Sequence, residues 1–184
     1  MDARIAKTRQ RLQEALFELA REHAIDDISV SDIAQRAGVN RTTFYLHYGD
    51  KETLLADALD LVAARAGANL DHLEVTVDEP PQPLVDFLTH LDEYAELYAR
   101  IFTEPGYGVV LARLRTHIID AITRLIDEHR PDLAAAAPMD FIAAGIAGSL
   151  LGMIGTWLDS HPRATPAQAS RWMWAVVPTA SGRS

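Results

Sequence analysis

The stretch Ile28 to Leu55, ISVSDIAQRAGVNRTTFYLHYGDKETLL, decides how this chain is read. Ser29 stands three residues before Asp32, the spacing at which a serine hydroxyl meets an orphan amide of a new helix while the acidic side chain reaches back. A short helix is therefore expected to about Ala37. Gly38 follows, and glycine best adopts the left-handed backbone that stops a helix abruptly. Asn40 then caps a further helix through Arg41-Thr42-Thr43-Phe44-Tyr45-Leu46-His47-Tyr48, which Gly49-Asp50 closes. Ala34 is the small residue needed where the two helices cross, and Ile33, Val39 and Phe44 form their shared apolar core. The second helix is thereby presented outward with Arg41, Thr42, Thr43, Tyr45 and His47, hydrogen-bonding groups that suit a reader of the DNA major groove. The competing reading is that any short amphipathic helix is polar on its outer side.

Upstream, Ile5, Leu12, Ala15, Leu16, Leu19 and Ala20 recur at three- and four-residue steps, which places them on one face of a first helix from Asp2 to His23. Downstream, a fourth helix begins near Lys51 and carries Leu54, Leu55, Ala58, Leu61 and Val62. Pro80, Pro81 and Pro83 break the chain, and the next helical pattern runs from about Leu84 to Thr103. After Pro105-Gly106 the periodicity resumes through Val109, Val110, Leu114, Ile118, Ile122, Leu125 and Ile126. The last helices span about Met139 to Ser160 and, after Thr165-Pro166, Ala167 to Val177. No alternating strand pattern stands out, so the expected fold is all-α. Pro178 to Ser184 read as a disordered tail.

The 184 residues suffice for one sizeable core or a small module attached to a larger one. The absence of cysteine removes thiol nucleophiles, thiolate zinc sites and disulfides, and fits a reducing compartment, with the cytoplasm as the expected location. Met1 to Arg11 is charged and lacks the apolar core of a signal peptide. The net charge of -9 argues at first against a nucleic-acid partner. Its distribution is uneven: residues 1–51 hold eight Lys/Arg and eight Asp/Glu, whereas residues 52–184 hold nine and eighteen. All the net acidity belongs to the second part.

The runs IAQRAGV, TFYLHY and KETLL together closely resemble the DNA-binding domain of the tetracycline-repressor (TetR) family. The resemblance is strong over residues 1 to about 62 and compatible in helix number and length beyond. It implies a three-helix helix-turn-helix DNA-binding domain in residues 1–50, a helical ligand-binding and dimerisation domain in 51–177, and the tail in 178–184. By position, Ser29, Tyr45 and Lys51 would touch the phosphate backbone, and Arg41, Thr42, Thr43 and His47 would face the groove, with Asn40 beside them. Thr42 stands where glycine is frequent in the family, and Tyr48 where phenylalanine is usual. Lys51 also lies at a helix N-terminus, where a cation opposes the helix dipole, and a phosphate partner would explain it. The implied function is a repressor that binds palindromic double-stranded DNA as a homodimer and is released by a small-molecule effector of unidentified chemistry. An activator, or a ligand-independent DNA-binding protein that organises the chromosome, is the alternative.

In FIAAGIAGSLLGMIGTWL, Phe141 to Leu158, the glycines Gly145, Gly148, Gly152 and Gly155 fall on one stripe of a helix. Each costs about 1 kcal/mol of helix stability relative to alanine, which close approach of another helix would offset. Ile142, Ile146, Leu150, Met153 and Trp157 on the opposite side suit burial. A transmembrane helix is the rival reading of this uncharged stretch, opposed by the flanking Asp140 and Asp159 and the absence of an adjacent basic anchor. The resemblance favours the soluble alternative, because the family dimerises through its last two long helices. It also implies an effector pocket, for which Phe87, His90, Tyr94, Leu97, Tyr98, Phe102, Tyr107, Arg113 and Phe141 are the candidates. None of the seven histidines falls at His-x-x-x-His spacing, and Asp86 with His90 reads as a solvated helix surface, so no metal site, cofactor or enzymatic activity is expected.

Overall fold

The computed structural model describes residues 3–68, 79–129 and 137–177, with the side chains of 63–68 excepted. The tail expected in 178–184 lies outside the described residues. All regular structure among the described residues is helical: α1 (Ala3–Glu22), a 3-10 turn (Ile25–Asp27), α2 (Val30–Arg36), α3 (Arg41–His47), α4 (Lys51–Ala68), α5 (Gln82–Glu93), α6 (Ala95–Thr103), a second 3-10 turn (Pro105–Tyr107), α7 (Gly108–His129), α8 (Met139–Asp159) and α9 (Pro166–Val176). The all-α fold places a helix-turn-helix at its N-terminal end and a helical bundle behind it.

Leu12, Ala15, Leu16 and Leu19 of α1 are buried as their spacing predicts, but Ile5 in the first turn is exposed. They meet Ile33, Phe44, Leu54 and Leu55, all fully buried, each stabilising the fold by about 2 kcal/mol relative to exposure. The same apolar cluster continues without interruption through Leu88, Leu91, Tyr98 and Ile101 to Trp157 and Met173. Polar links reinforce the junction: Arg21 pairs with Glu93, Arg100 with Asp26, and Arg113 Nη1 and His117 Nε2 each lie 3.0 Å from a carboxylate oxygen of Asp60 on α4.

The single helix expected over Leu84 to Thr103 is two. Tyr94, at φ −122° and ψ 38°, ends α5 and begins α6, and α6 thereby turns Leu97, Tyr98 and Ile101 into the core. Neither proline nor glycine marks this break. Pro81 caps α5 in an extended conformation, and Thr165 starts α9 with a reciprocal pair of side-chain caps with Gln168.

Candidate nucleic-acid interface

Local bonds set the reading helix at a fixed angle. Ser29 Oγ accepts from the Asp32 amide at 3.2 Å and donates to Asp32 Oδ2 at 2.6 Å, and the Ser29 amide donates to the same oxygen at 2.9 Å. These bonds from Ser29 hold the Asp32 carboxyl below its ordinary titration range. Gly38 turns the chain at φ +64°, and its carbonyl accepts from Arg11 at 3.3 Å. Asn40 Oδ1 accepts from the Thr43 amide at 2.7 Å and from Thr43 Oγ1 at 2.9 Å, so the Thr43 hydroxyl is committed to the cap.

Arg41, Thr42 and Tyr45 stand out from α3 exposed, with His47 half-buried beside them. The Arg41 guanidinium lies 5.9 Å from the centre of the Tyr45 ring and reaches its hydroxyl at 3.5 Å, while that ring meets Phe44 edge-on at 5.4 Å. Leu46, an apolar residue, is 78% exposed on the same helix. Phe44 and Tyr48, four apart, mark the buried face, and at about 100° per residue Leu46 points roughly opposite to both. That angle was available in the sequence.

Lys51 has a partner inside the protomer. Its Nζ donates to the carbonyls of Ile25 at 2.5 Å and Ile28 at 3.0 Å, at the end of the first 3-10 turn. The Ile25 carbonyl also accepts from the Ile28 amide at 3.3 Å, and the ammonium adds a charge-assisted bond to each of the two oxygens. A cation at the head of α4 is thus explained without a phosphate.

Behind the reader is a network that spacing did not reveal. Tyr48, the C-cap of α3, donates its hydroxyl to Asp57 Oδ2 at 2.5 Å. Arg9 Nη2 donates to Asp57 Oδ1 at 2.6 Å and Arg9 Nε to the Tyr48 hydroxyl at 3.2 Å, and Gln13 Nε2 completes the set on Asp57 Oδ2 at 2.6 Å. Burial opposes the charge on Asp57, but the bonds from Arg9 and Tyr48 and the nearby guanidinium more than offset it, so the carboxyl titrates below its ordinary value. Burial, and then the Asp57 bond, push the Tyr48 phenol up to about 12. The network ties the end of α3 to α1 and α4 at once.

A cleft of about 440 Å³ between α1, α4 and α5 takes in Phe87, His90 and Tyr94, together with Phe17 and the buried Gln13. Tyr98 is sealed in the core and bonded to His90 Nε2 at 2.8 Å, and Leu97 is buried near it. Phe102 packs on Gly155, the Tyr107 hydroxyl donates to Asp26 Oδ1 at 3.0 Å, Arg113 is held by Asp60, and Phe141 is exposed on the far side of α8.

The glycine stripe is divided. A Cβ added at Gly145, Gly148 or Gly152 would meet nothing within 4 Å, whereas one at Gly155 would lie 3.2 Å from Phe102 Cδ1. Three glycines therefore open a shallow outer face, and the fourth admits α6. On the inner side Ile146 and Trp157 are buried, with Ile142, Leu150 and Met153 half-buried. Trp172 and Val176 of α9 are also exposed, at 61% and 62%. The α8 helix is long and apolar enough to cross a membrane by length and composition alone, with a mean hydropathy of 1.7. Here it packs against α6, α7 and α9. Among the described residues no group of three or more His, Asp or Glu could hold a metal ion.

Two short capped helices joined by a turn at Gly38, with Arg41, Thr42 and Tyr45 exposed on the second, define a helix-turn-helix DNA-binding regulator. Comparison with known proteins agrees. A family model described as bacterial regulatory proteins, tetR family, matches residues 12–58, and one described as transcriptional regulator C-terminal region matches residues 78–175. The chain belongs to the TetR family of transcriptional regulators. The uncharacterized HTH-type transcriptional regulator YxbF of Bacillus subtilis is 36% identical over 76 residues, 41% of this chain and only 19% of that protein's length. A TetR transcriptional regulator of Streptococcus agalactiae superposes with a TM-score of 0.57 at 25% identity, covering 96% of both chains. FadR of Thermus thermophilus, a TetR-family transcriptional repressor solved with lauroyl-CoA, superposes with a TM-score of 0.67 at 19% identity, covering 92% of both, a likeness of fold.

Proposed function

We propose that this protein is a dimeric repressor that reads a palindromic operator and is released by a small-molecule effector. The carrying observation is the outer face of α3, where Arg41, Thr42, Tyr45 and Leu46 are exposed on a helix clamped at both ends. In this reading residues 1–50 are the reader and 51–177 the regulatory and dimerising body. Arg41, Thr42, Leu46 and His47 face base edges, Leu46 suiting the thymine methyl group. Tyr45 reaches phosphate, while Ser29, Asn40, Thr43 and Lys51 hold the reader in register, Ser29 and Lys51 adding phosphate contacts at its edge.

A second copy covers the outer face of α8 and α9, with Gly145, Gly148 and Gly152 allowing close backbone approach and Trp172 and Val176 supplying apolar area. Gly155 serves the same helix from within. That burial, in place of a bilayer, accounts for the apolar α8 of a protein acting on DNA in the cytoplasm. Repression and effector release follow the precedent of FadR, itself described as a repressor with a bound acyl-CoA.

The test is a footprint of the purified protein on the DNA flanking its gene. Two protected half-sites with centres about 34 Å apart, or a multiple of that, are expected from a two-fold dimer. An unpaired footprint, or equal affinity for every duplex, would overturn the reading.

A further inference from the structure

We infer that the cleft between α1, α4 and α5 is a binding site for an organic cation with an aromatic body, and that Gln13 reports its occupancy to the reading helix. The cleft lies where the reader meets the body, and its volume of about 440 Å³ suits a small ligand. Phe17, His90 and Tyr94 pack together in it, edge-on or tilted, with ring centres 5.0 to 5.4 Å apart, and Phe87 lines it beside them. The face of Tyr94 already attracts a guanidinium, that of Arg21, at 5.0 Å.

Charge decides the ligand's sign. Three carboxylates line the cleft, Glu14, Glu18 and Asp86, and among the described residues no Lys or Arg does. Glu18 leans on Arg36 at 3.5 Å, whereas among the described residues the partners of Glu14 and Asp86 are the neutral amides of Gln10 and Gln82, at 2.8 and 2.7 Å. Aromatic faces flanked by carboxylates without cationic partners favour a ligand ammonium and repel an anion.

Gln13 lines the same cleft and donates to Asp57, which holds the Tyr48 hydroxyl at the end of α3. A ligand ammonium that donates to Gln13 Oε1 would turn the amide and draw its Nε2 from Asp57, and so loosen the clamp on the reader. This coupling rests on the proposed DNA-binding function, whereas the site itself does not.

The probe is 4-tert-butylbenzylammonium, compared with the similarly shaped anion 4-tert-butylbenzoate, by calorimetric titration into the full-length protein without DNA. The ammonium is expected to bind with a Kd of about 1 mM or tighter, and the benzoate at least about tenfold more weakly. The double variant Glu14→Gln with Asp86→Asn, its fold checked by thermal melting, should weaken ammonium binding several-fold. Equal binding of the two probes, no binding, or an unchanged double variant overturns the site. On a duplex selected from a random pool, the ammonium should weaken wild-type DNA binding and leave that of Gln13→Leu unchanged, although the variant still takes up the ammonium. Equal responses of the two proteins overturn the role of Gln13. A protein that selects no duplex but binds the ammonium defeats the DNA-binding reading and keeps the site.

Discussion

Tyr48 does two things with one side chain: its ring packs against Phe44 and its hydroxyl binds Asp57. Tyr48→Phe keeps the first and deletes the second, and should cost about 1 kcal/mol, read as a lower urea midpoint at unchanged slope. Asp57→Asn should cost more, about 2 kcal/mol at neutral pH, since it removes the charge on which Arg9, Gln13 and Tyr48 converge. Because the folded-state carboxyl of Asp57 is lowered, its contribution is complete above the ordinary carboxylate range and is lost as pH falls through the folded value. The gap between wild type and Asp57→Asn should therefore narrow below about pH 4. Leu46→Ala changes nothing buried, so its melting temperature should match wild type while its preference among duplexes shifts in a selection from a random pool. Legibility at this scale follows sequence distance. Ser29 with Asp32 and Asn40 with Thr43 are three residues apart and could be read directly, whereas Arg9, Gln13, Tyr48 and Asp57 are joined only by the crossing of α1, α3 and α4.

Helix ends show the same division. Gly38 was readable because the αL conformation restricts the choice of residue, and at φ +64° an alanine Cβ would also fall 2.6 Å from Arg11 Nη2. Gly38→Ala should therefore destabilise the turn by about 1 kcal/mol, seen as a lower melting temperature and weaker DNA binding together. The break at Tyr94 was not readable. Apolar residues continue at helical spacing across it, and the Tyr94 ring there packs against Phe17 of α1, a contact that spacing along the chain does not show. Lys51 was marked by its position at a helix head, but its partner, a pair of carbonyls more than twenty residues upstream, could only be seen in the folded chain.

Over the whole molecule, the all-α architecture was legible from periodicity, and the glycine stripe from its spacing, but which glycines face outward was not. Gly148→Leu adds a side chain where the protomer leaves open space and removes a poor helix former. Its monomer should thus fold at least as well as wild type while the proposed dimer dissociates, a separation that sedimentation and thermal melting at low protein concentration would display. Gly155 calls for a different experiment, in the language of genetics. Its space is taken by Phe102, so a bulky replacement such as Gly155→Leu must push α6 outward or be accommodated by trimming the ring. A screen that starts from Gly155→Leu and selects for recovered DNA binding should yield small residues at position 102 as second-site suppressors, and the same residues should do nothing for Gly148→Leu. One helix would then separate into two suppression classes along its length, one answered within the chain and one only across the proposed dimer interface.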